Sequence, residues 1–187
     1  MSVTEIDDLQ RLCVKIYAPE PELDDQLFVP IFHEWIRDQV FDDLVLFDVA
    51  DYAHVPESPG IVLVTHAAHF SLDRSDGRFG LLVQRRVSGT GDAVATLALT
   101  IRHGLEVAER LARDPRVAGK LRFDRATLRV EANDRLRAPN TDEGYRAFEP
   151  VVRSAVAQVL GDGVTVARVA NEPRERLAAE VRVAGAA

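Results

Sequence analysis

The chain of 187 residues has little cysteine, no long apolar run and an excess of negative charge. Cys13 is its only cysteine, which excludes an internal disulfide and any zinc cluster built from several cysteines. No apolar run approaches the roughly 20 residues that cross a bilayer. The N-terminal MSVTEIDDLQRL also lacks the basic and apolar regions of a signal peptide. We therefore expect a cytoplasmic protein with no membrane partner.

The net charge of -7 makes a nucleic-acid partner unfavourable, because phosphate backbones would meet repulsion over most of the surface. The sequence also lacks a Gly-x-Gly-x-x-Gly segment after a strand and a Walker A motif. We therefore expect neither nucleic acid nor a nucleotide cofactor.

Size and composition are typical of one globular domain covering residues 1–187, since 47% of the residues are hydrophobic and 28% are charged. Two terminal segments lack a strong pattern, and we expect the arm 1–10 and the tail 184–187 to be flexible. No internal repeat divides the chain.

Alternating apolar and polar residues predict several strands. The segment 12–18 alternates cleanly, as a half-buried strand does. The segment 44–52 is apolar on both faces except at Asp48 and Asp51, which predicts a strand in the centre of a sheet. Residues 60–73 and 78–87 flank the turn sequence RSDG and predict a hairpin.

That hairpin has two candidate registers. Pairing Asp73 with Arg78 would place His69 opposite Leu82 and His66 opposite Arg85, whereas a one-residue slip would turn every side chain to the other face.

Helical periodicity predicts three helices: one beginning near Pro30, one capped by Asp92 and ending before Pro115, and one capped near Asn140 and ending at Gly161. His103 falls away from the apolar stripe of the second helix and is expected to be solvated. Residues 121–134 resemble a strand in two pieces, and the C-terminal region predicts another hairpin. We predict an α+β fold, with a largely antiparallel sheet and about three helices packed on one face.

Histidine and aspartate concentrate near two predicted strands, and they form our leading hypothesis for a site. A small molecule or a divalent metal would bind where segment 48–54 meets segment 65–73. The lining residues would be Asp48, Asp51, Tyr52, His54, His66 and His69, and the metal ligands would come from Asp51, His54, His66 and His69. Since residues three apart on a strand face opposite ways, His66 and His69 could share an ion only across a bulge or a strand end.

Two other functions stay open, so the sequence does not decide whether the protein is an enzyme. A small hydrolase could use Thr65, His69, Ser71 and Asp73, which share a strand face if residues 60–73 form one strand, although no Gly-x-Ser-x-Gly elbow is present. A non-enzymatic structural or protein-interaction module could instead form a homo-oligomer through exposed sheet edges or through the first helix.

Five blocks of sequence resemble an uncharacterised bacterial family of conserved hypothetical proteins of about this length. The blocks are FHEWI, DVADYAHVPESPG, VTHAAHFSLD, GRFGLLVQRR and NDRLRAPNT, and the resemblance covers nearly the whole chain. It implies a stand-alone cytoplasmic domain and assigns no activity or catalytic residue.

Overall fold

The computed structural model describes residues 4–55, 58–86 and 91–184. The helices are α1 (Thr4–Asp7), α2 (Phe28–Asp38), α3 (Ala93–Arg113) and α4 (Asp142–Leu160), and a short 3-10 turn, Asp25–Leu27, precedes α2. The strands are β1 (Leu12–Tyr17), β2 (Leu46–Asp51), β3 (Ile61–Thr65), β4 (Ala68–Asp73), β5 (Gly80–Arg85), β6 (Thr127–Ala132), β7 (Val164–Arg168) and β8 (Ala178–Val183).

All eight strands form one antiparallel sheet in the order β2-β3-β4-β5-β1-β6-β8-β7. Helix α3 packs on β1 and β5, α4 packs on β7 and β8, and α2 packs on β2 and β3. Alternate strand residues such as Val14, Val83 and Val130 face these helices and build the core. The predicted α+β fold is therefore confirmed. No helix in the described ranges is long and apolar enough to cross a membrane.

The position of β2 differs from the prediction, because this apolar strand lies at an edge of the sheet rather than in its centre. Leu46 is buried and Val49 packs partly against the core, but Phe47 is exposed. The pairing with β3 shifts register between Leu46 and Asp48, which is typical of a β-bulge. The apolar residues on both faces of β2 therefore do not mean that this strand lies between two others in the sheet.

The predicted strand 60–73 is broken at His66 and Ala67 into β3 and β4. The hydroxyl of Thr65 causes the break, because it accepts hydrogen bonds from the backbone N–H groups of Ala67 and Ala68 at 3.3 and 3.0 Å. Such local side-chain bonds replace ladder bonds and favour a turn.

The register of β4 and β5 also differs from both candidates. Asp73 lies opposite Gly80 and His69 opposite Gln84, which is a shift of two residues from the pairing of Asp73 with Arg78. A shift of two keeps each β4 side chain on its expected face. His66 lies outside β4 and therefore pairs with no β5 residue.

In the N-terminal arm, Ile6 and Leu9 are buried. Two further expectations need correction. Only Thr127–Ala132 of the segment 121–134 is a strand. His103 is buried rather than solvated, and its Nε2 lies 2.8 Å from a carboxylate oxygen of Asp43. In the predicted tail, residues 185–187 lie outside the described residues.

Candidate functional site

His66 and His69 lie on different parts of the fold. His66 occupies the turn after β3. Its ring Nδ1 accepts a hydrogen bond from the backbone N–H of Val45 at 3.1 Å, and its backbone N–H donates to the carbonyl of Val45 at 3.0 Å. These two bonds tie the turn to the start of β2. His69 lies on β4 and faces the side of the sheet opposite the core-facing Val83, in one cross-strand row with Val64 and Asp48.

His69 contacts a cation rather than a carboxylate. Its Nε2 lies 3.1 Å from Nη1 of Arg86, and the ring nitrogen can accept a hydrogen bond from the guanidinium only when it carries no proton. Burial and the nearby charge of Arg86 lower the pKa of His69. His69 is therefore held as a neutral imidazole near pH 7.

The remaining predicted residues lie toward the far end of β2. Asp51 accepts hydrogen bonds from the side chain of Gln26 at 2.9 Å and from the N–H of Ala53 at 2.9 Å, and these bonds lower the pKa of Asp51. Tyr52 and His54 follow in an exposed turn. The structure therefore separates Asp51, Tyr52 and His54 from His66, which lies at the other end of the strand.

The six residues do not converge on one point. Within the described ranges, no three His, Cys, Asp or Glu side chains are placed where they could hold one metal ion. The hydrolase set is also dispersed: the hydroxyl of Thr65 donates to the carbonyl of Ala68 at 2.9 Å, and Asp73 binds Lys15 at 2.7 Å. The metal-ligand and hydrolase hypotheses gain no support from these placements.

A buried charged cluster that the sequence did not reveal lies on the face of the sheet opposite the core-facing residues Val14 and Val83. Lys15 is only 2% exposed. Its ammonium donates to Asp73 and to the carbonyl of Arg78, both at 2.7 Å, and also to Asp76. The three protons of the ammonium therefore match three acceptors. We call Lys15, Tyr17, Asp73 and Asp76 the Lys15 cluster.

The other members complete the hydrogen bonding of this cluster. Tyr17 donates its hydroxyl proton to Asp76 at 2.8 Å, and burial together with this bond raises the pKa of Tyr17. Burial alone would raise the pKa of Asp76, but the bonds from Lys15 and Tyr17 hold it below its usual range. The cluster joins β1 to the turn between β4 and β5, which makes it a structural tie.

Gly80 makes this tie sterically feasible. A Cβ atom at Gly80 would lie 2.6 Å from the carbonyl oxygen of Ile16 and 3.1 Å from Cε of Lys15. Since β5 lies between β4 and β1, Lys15 must cross β5 to reach Asp73. The missing side chain of Gly80 leaves the space for that crossing.

Cys13 lies beside Lys15 on β1, and its thiol is inert. The residue is fully buried, and burial raises the pKa of Cys13 to about 12. A thiol with this pKa is almost entirely protonated at neutral pH, and the thiolate is the reactive form. Cys13 is therefore a poor nucleophile in the folded protein.

The most unusual surface follows β2. Four of the five exposed large hydrophobic residues in the described ranges belong to this strand and its flanks, namely Val45 (50% exposed), Phe47 (59%), Tyr52 (46%) and Val55 (44%), and the fifth is the isolated Leu136 (93%). We call the first four residues the β2 patch. Val45 and Phe47 lie near the start of β2, and Tyr52 and Val55 lie beyond its end, so the four side chains follow the strand from one end to the other. Exposed apolar side chains along one edge strand form a candidate interaction surface, whereas a single exposed leucine is ordinary.

The sequence segment that contains the β2 patch has acidic residues but no lysine or arginine. Residues 38–73 contain no lysine or arginine but seven acidic residues: Asp38, Asp42, Asp43, Asp48, Asp51, Glu57 and Asp73. In the described part of the chain, Asp48 and Asp51 accept hydrogen bonds from backbone or amide groups, and neither forms an ion pair with lysine or arginine. The sequence segment that carries the patch therefore has a net negative charge, although Asp38 pairs with Arg37, Asp43 with His103 and Asp73 with Lys15.

The backbone edge of β2 is partly closed by side chains. The amide of Gln39 accepts the N–H of Leu46 at 3.2 Å and donates to the carbonyl of Leu46 at 3.0 Å, as a neighbouring strand would. Gln39 reaches this position from the left-handed C-cap of α2, where its φ is 44°. Asp48 accepts the N–H of Val49 at 2.8 Å. These contacts disfavour the addition of another strand at this edge and leave side chains as the means of contact.

Comparison of the chain with protein-family models and with curated proteins found no match. The resemblance of five sequence blocks to a bacterial family therefore stays a prediction.

Proposed function

We propose that the protein is a protein-interaction module whose β2 patch binds a basic, partly apolar segment of a partner protein. The observation that carries this proposal is the concentration of exposed apolar side chains on an edge strand that lacks lysine and arginine. Aromatic side chains such as Phe47 and Tyr52 supply much of the binding free energy in protein interfaces.

Charge favours a basic partner over a second copy of this chain. Two β2 patches facing each other would bring Asp48 and Asp51 of one copy toward the same residues of the other, and like charges in an interface are unfavourable. Lysine or arginine in a partner would instead meet carboxylates that have no such partner within the described chain. Gln39 also disfavours the backbone pairing that would join two β2 strands.

Selection from a random peptide library displayed on phage tests this proposal. The bait proteins are the wild type, the Phe47→Asp variant and a matched Leu136→Asp control, which places the same charge on an exposed leucine outside the patch. We expect the wild type and the control to retain peptides that combine lysine or arginine with aromatic or aliphatic residues. We expect Phe47→Asp to bind those peptides at least tenfold more weakly, which corresponds to about 1.4 kcal/mol.

Selection of acidic peptides, or equal retention by Phe47→Asp, would contradict the proposal. Light scattering over a wide concentration range tests for self-association. If the wild type forms a dimer that Phe47→Asp abolishes, the β2 patch binds a second copy of this chain, and the proposal of a basic partner is wrong. The affinity of a selected peptide should also fall as salt is raised, because exposed charges are screened.

A further inference from the structure

A separate cavity of about 250 Å³ lies between the C-terminal half of α3 and the end of β1. Its apolar lining consists of Ile16, Leu105, Ala108, Ala112 and Phe123. We call it the α3 pocket. It shares no residue with the β2 patch, and binding there is independent of the proposed interaction with a protein.

The α3 pocket exists because α3 is close to the sheet at one point and carries small side chains beyond it. A Cβ at Gly104 would lie 2.8 Å from Val83 and 3.1 Å from Ile16, so the helix nearly touches the sheet there. Ala108 and Ala112 follow on the same side of the helix and leave space that larger side chains would fill. The N–H of Asp124 donates to the carbonyl of Tyr17 at 2.7 Å, which holds the neighbouring Phe123 at the end of β1.

The charged rim of the α3 pocket carries more positive than negative charge. It consists of Glu109, Arg113 and Arg125. Glu109 binds both guanidinium groups: Arg125 lies 3.4 Å from its Oε2, and Arg113 pairs with its Oε1. One carboxylate therefore serves two cations, which leaves a net charge of one positive unit at the rim in a protein whose net charge is -7.

We propose that the α3 pocket binds a small monocarboxylate with an apolar body, such as a short aliphatic or single-ring acid. The carboxylate would lie between Arg113 and Arg125, where it supplies the second negative charge. The apolar body would cover the half-buried Leu105 and Phe123. Most pockets for drug-sized ligands measure roughly 300 to 1,000 Å³, so the α3 pocket suits a smaller molecule.

Three probes of equal chain length test this proposal on the wild-type protein: octanoate, octanol and octylammonium. Each probe is titrated while backbone amide signals are followed by NMR. We expect octanoate to bind saturably and to shift the signals of Leu105, Ala108, Ala112 and Phe123, with octanol at least several-fold weaker and octylammonium weaker still. Equal affinity for octanoate and octanol would overturn the charge requirement, and the absence of saturable octanoate binding would overturn the site.

Two variants separate the charge of the rim from the space of the cavity. Arg125→Gln should weaken octanoate several-fold and leave octanol unchanged, whereas the matched control Arg102→Gln, on an exposed part of α3, should change neither. Ala112→Leu should fill the cavity and abolish binding of both probes. Wild-type binding by Ala112→Leu, or an equal loss with Arg102→Gln, would contradict the proposal.

Discussion

The Lys15 cluster and the β2 patch are opposite departures from the usual distribution of side chains. The cluster buries charged groups, and the patch exposes apolar groups on an edge strand. Inside the cluster, each proton of the Lys15 ammonium has an acceptor within the chain. The apolar side chains of the patch have no comparable cover. Buried charged groups whose hydrogen bonds are made within the chain have a structural role. Exposed apolar side chains that the chain does not cover are candidates for contact with another molecule.

Replacement of Lys15 by methionine should produce the largest effect, because it leaves Asp73 buried without its cation and leaves Asp76 with only the more distant Arg129, at 3.9 Å. We expect a loss of about 3 kcal/mol in the free energy of unfolding, since breaking a buried ion pair leaves an uncompensated charge. Urea denaturation measures this loss. Lys120, the chain's other lysine, is exposed, so Lys120→Met is the matched control and should leave the unfolding free energy unchanged. Equal stability of the two variants would show that the cluster is not a structural tie.

The second-largest effect should be on the pH dependence of stability, and it should appear when Asp76 is replaced. Its pKa in the folded protein lies below the usual aspartate value of about 3.9 because Lys15 and Tyr17 bind it. A carboxyl group with a depressed folded-state pKa contributes stability above its unfolded pKa, and this contribution is lost as pH falls through the folded value. We therefore expect the wild type to lose stability below about pH 4. Asp76→Asn should show a shallower loss over the same range in urea titrations at several pH values, and an identical slope would remove Asp76 from this account.

The smallest effect on stability should come from Phe47→Ser in the β2 patch, because its ring is 59% exposed. We expect a change within about 0.5 kcal/mol, as for most surface substitutions. Leu136→Ser provides the comparison at an exposed leucine, and thermal denaturation measures both. A large destabilisation by Phe47→Ser alone would mean that the ring supports the fold, and the contrast between the patch and the cluster would then fail.

Local sequence signals predicted much of the fold. Asp92 caps α3 as expected, and its carboxylate accepts the N–H of Val94 at 2.7 Å. The alternation of β1 predicted its core-facing residues, but the predicted half-burial is wrong, because all six residues of the strand are buried. Gly161 ends α4 as expected. These features depend on neighbouring residues in the sequence, so periodicity and capping were sufficient to find them.

Features that depend on distant residues were missed. The edge position of β2 was mistaken for a central one, because apolar residues on both faces of a strand do not distinguish a buried central strand from an exposed edge strand. The register of β4 and β5 was also missed, because Lys15 holds the intervening turn from a different strand. Alternation placed Lys15 on the wetter face, and nothing nearby in the sequence revealed its burial.

The absence of lysine and arginine around the β2 patch also determines how the patch behaves in mass spectrometry. Trypsin cleaves after lysine and arginine, so the sequence from Asp38 to Arg74 is released as one peptide that carries the whole patch. Amine-reactive cross-linkers have no lysine to attack there, whereas carbodiimide activation of Asp48 or Asp51 would join the patch directly to a lysine of a basic partner. Digestion after such a reaction would therefore identify the contacting residue of the partner on a single long peptide.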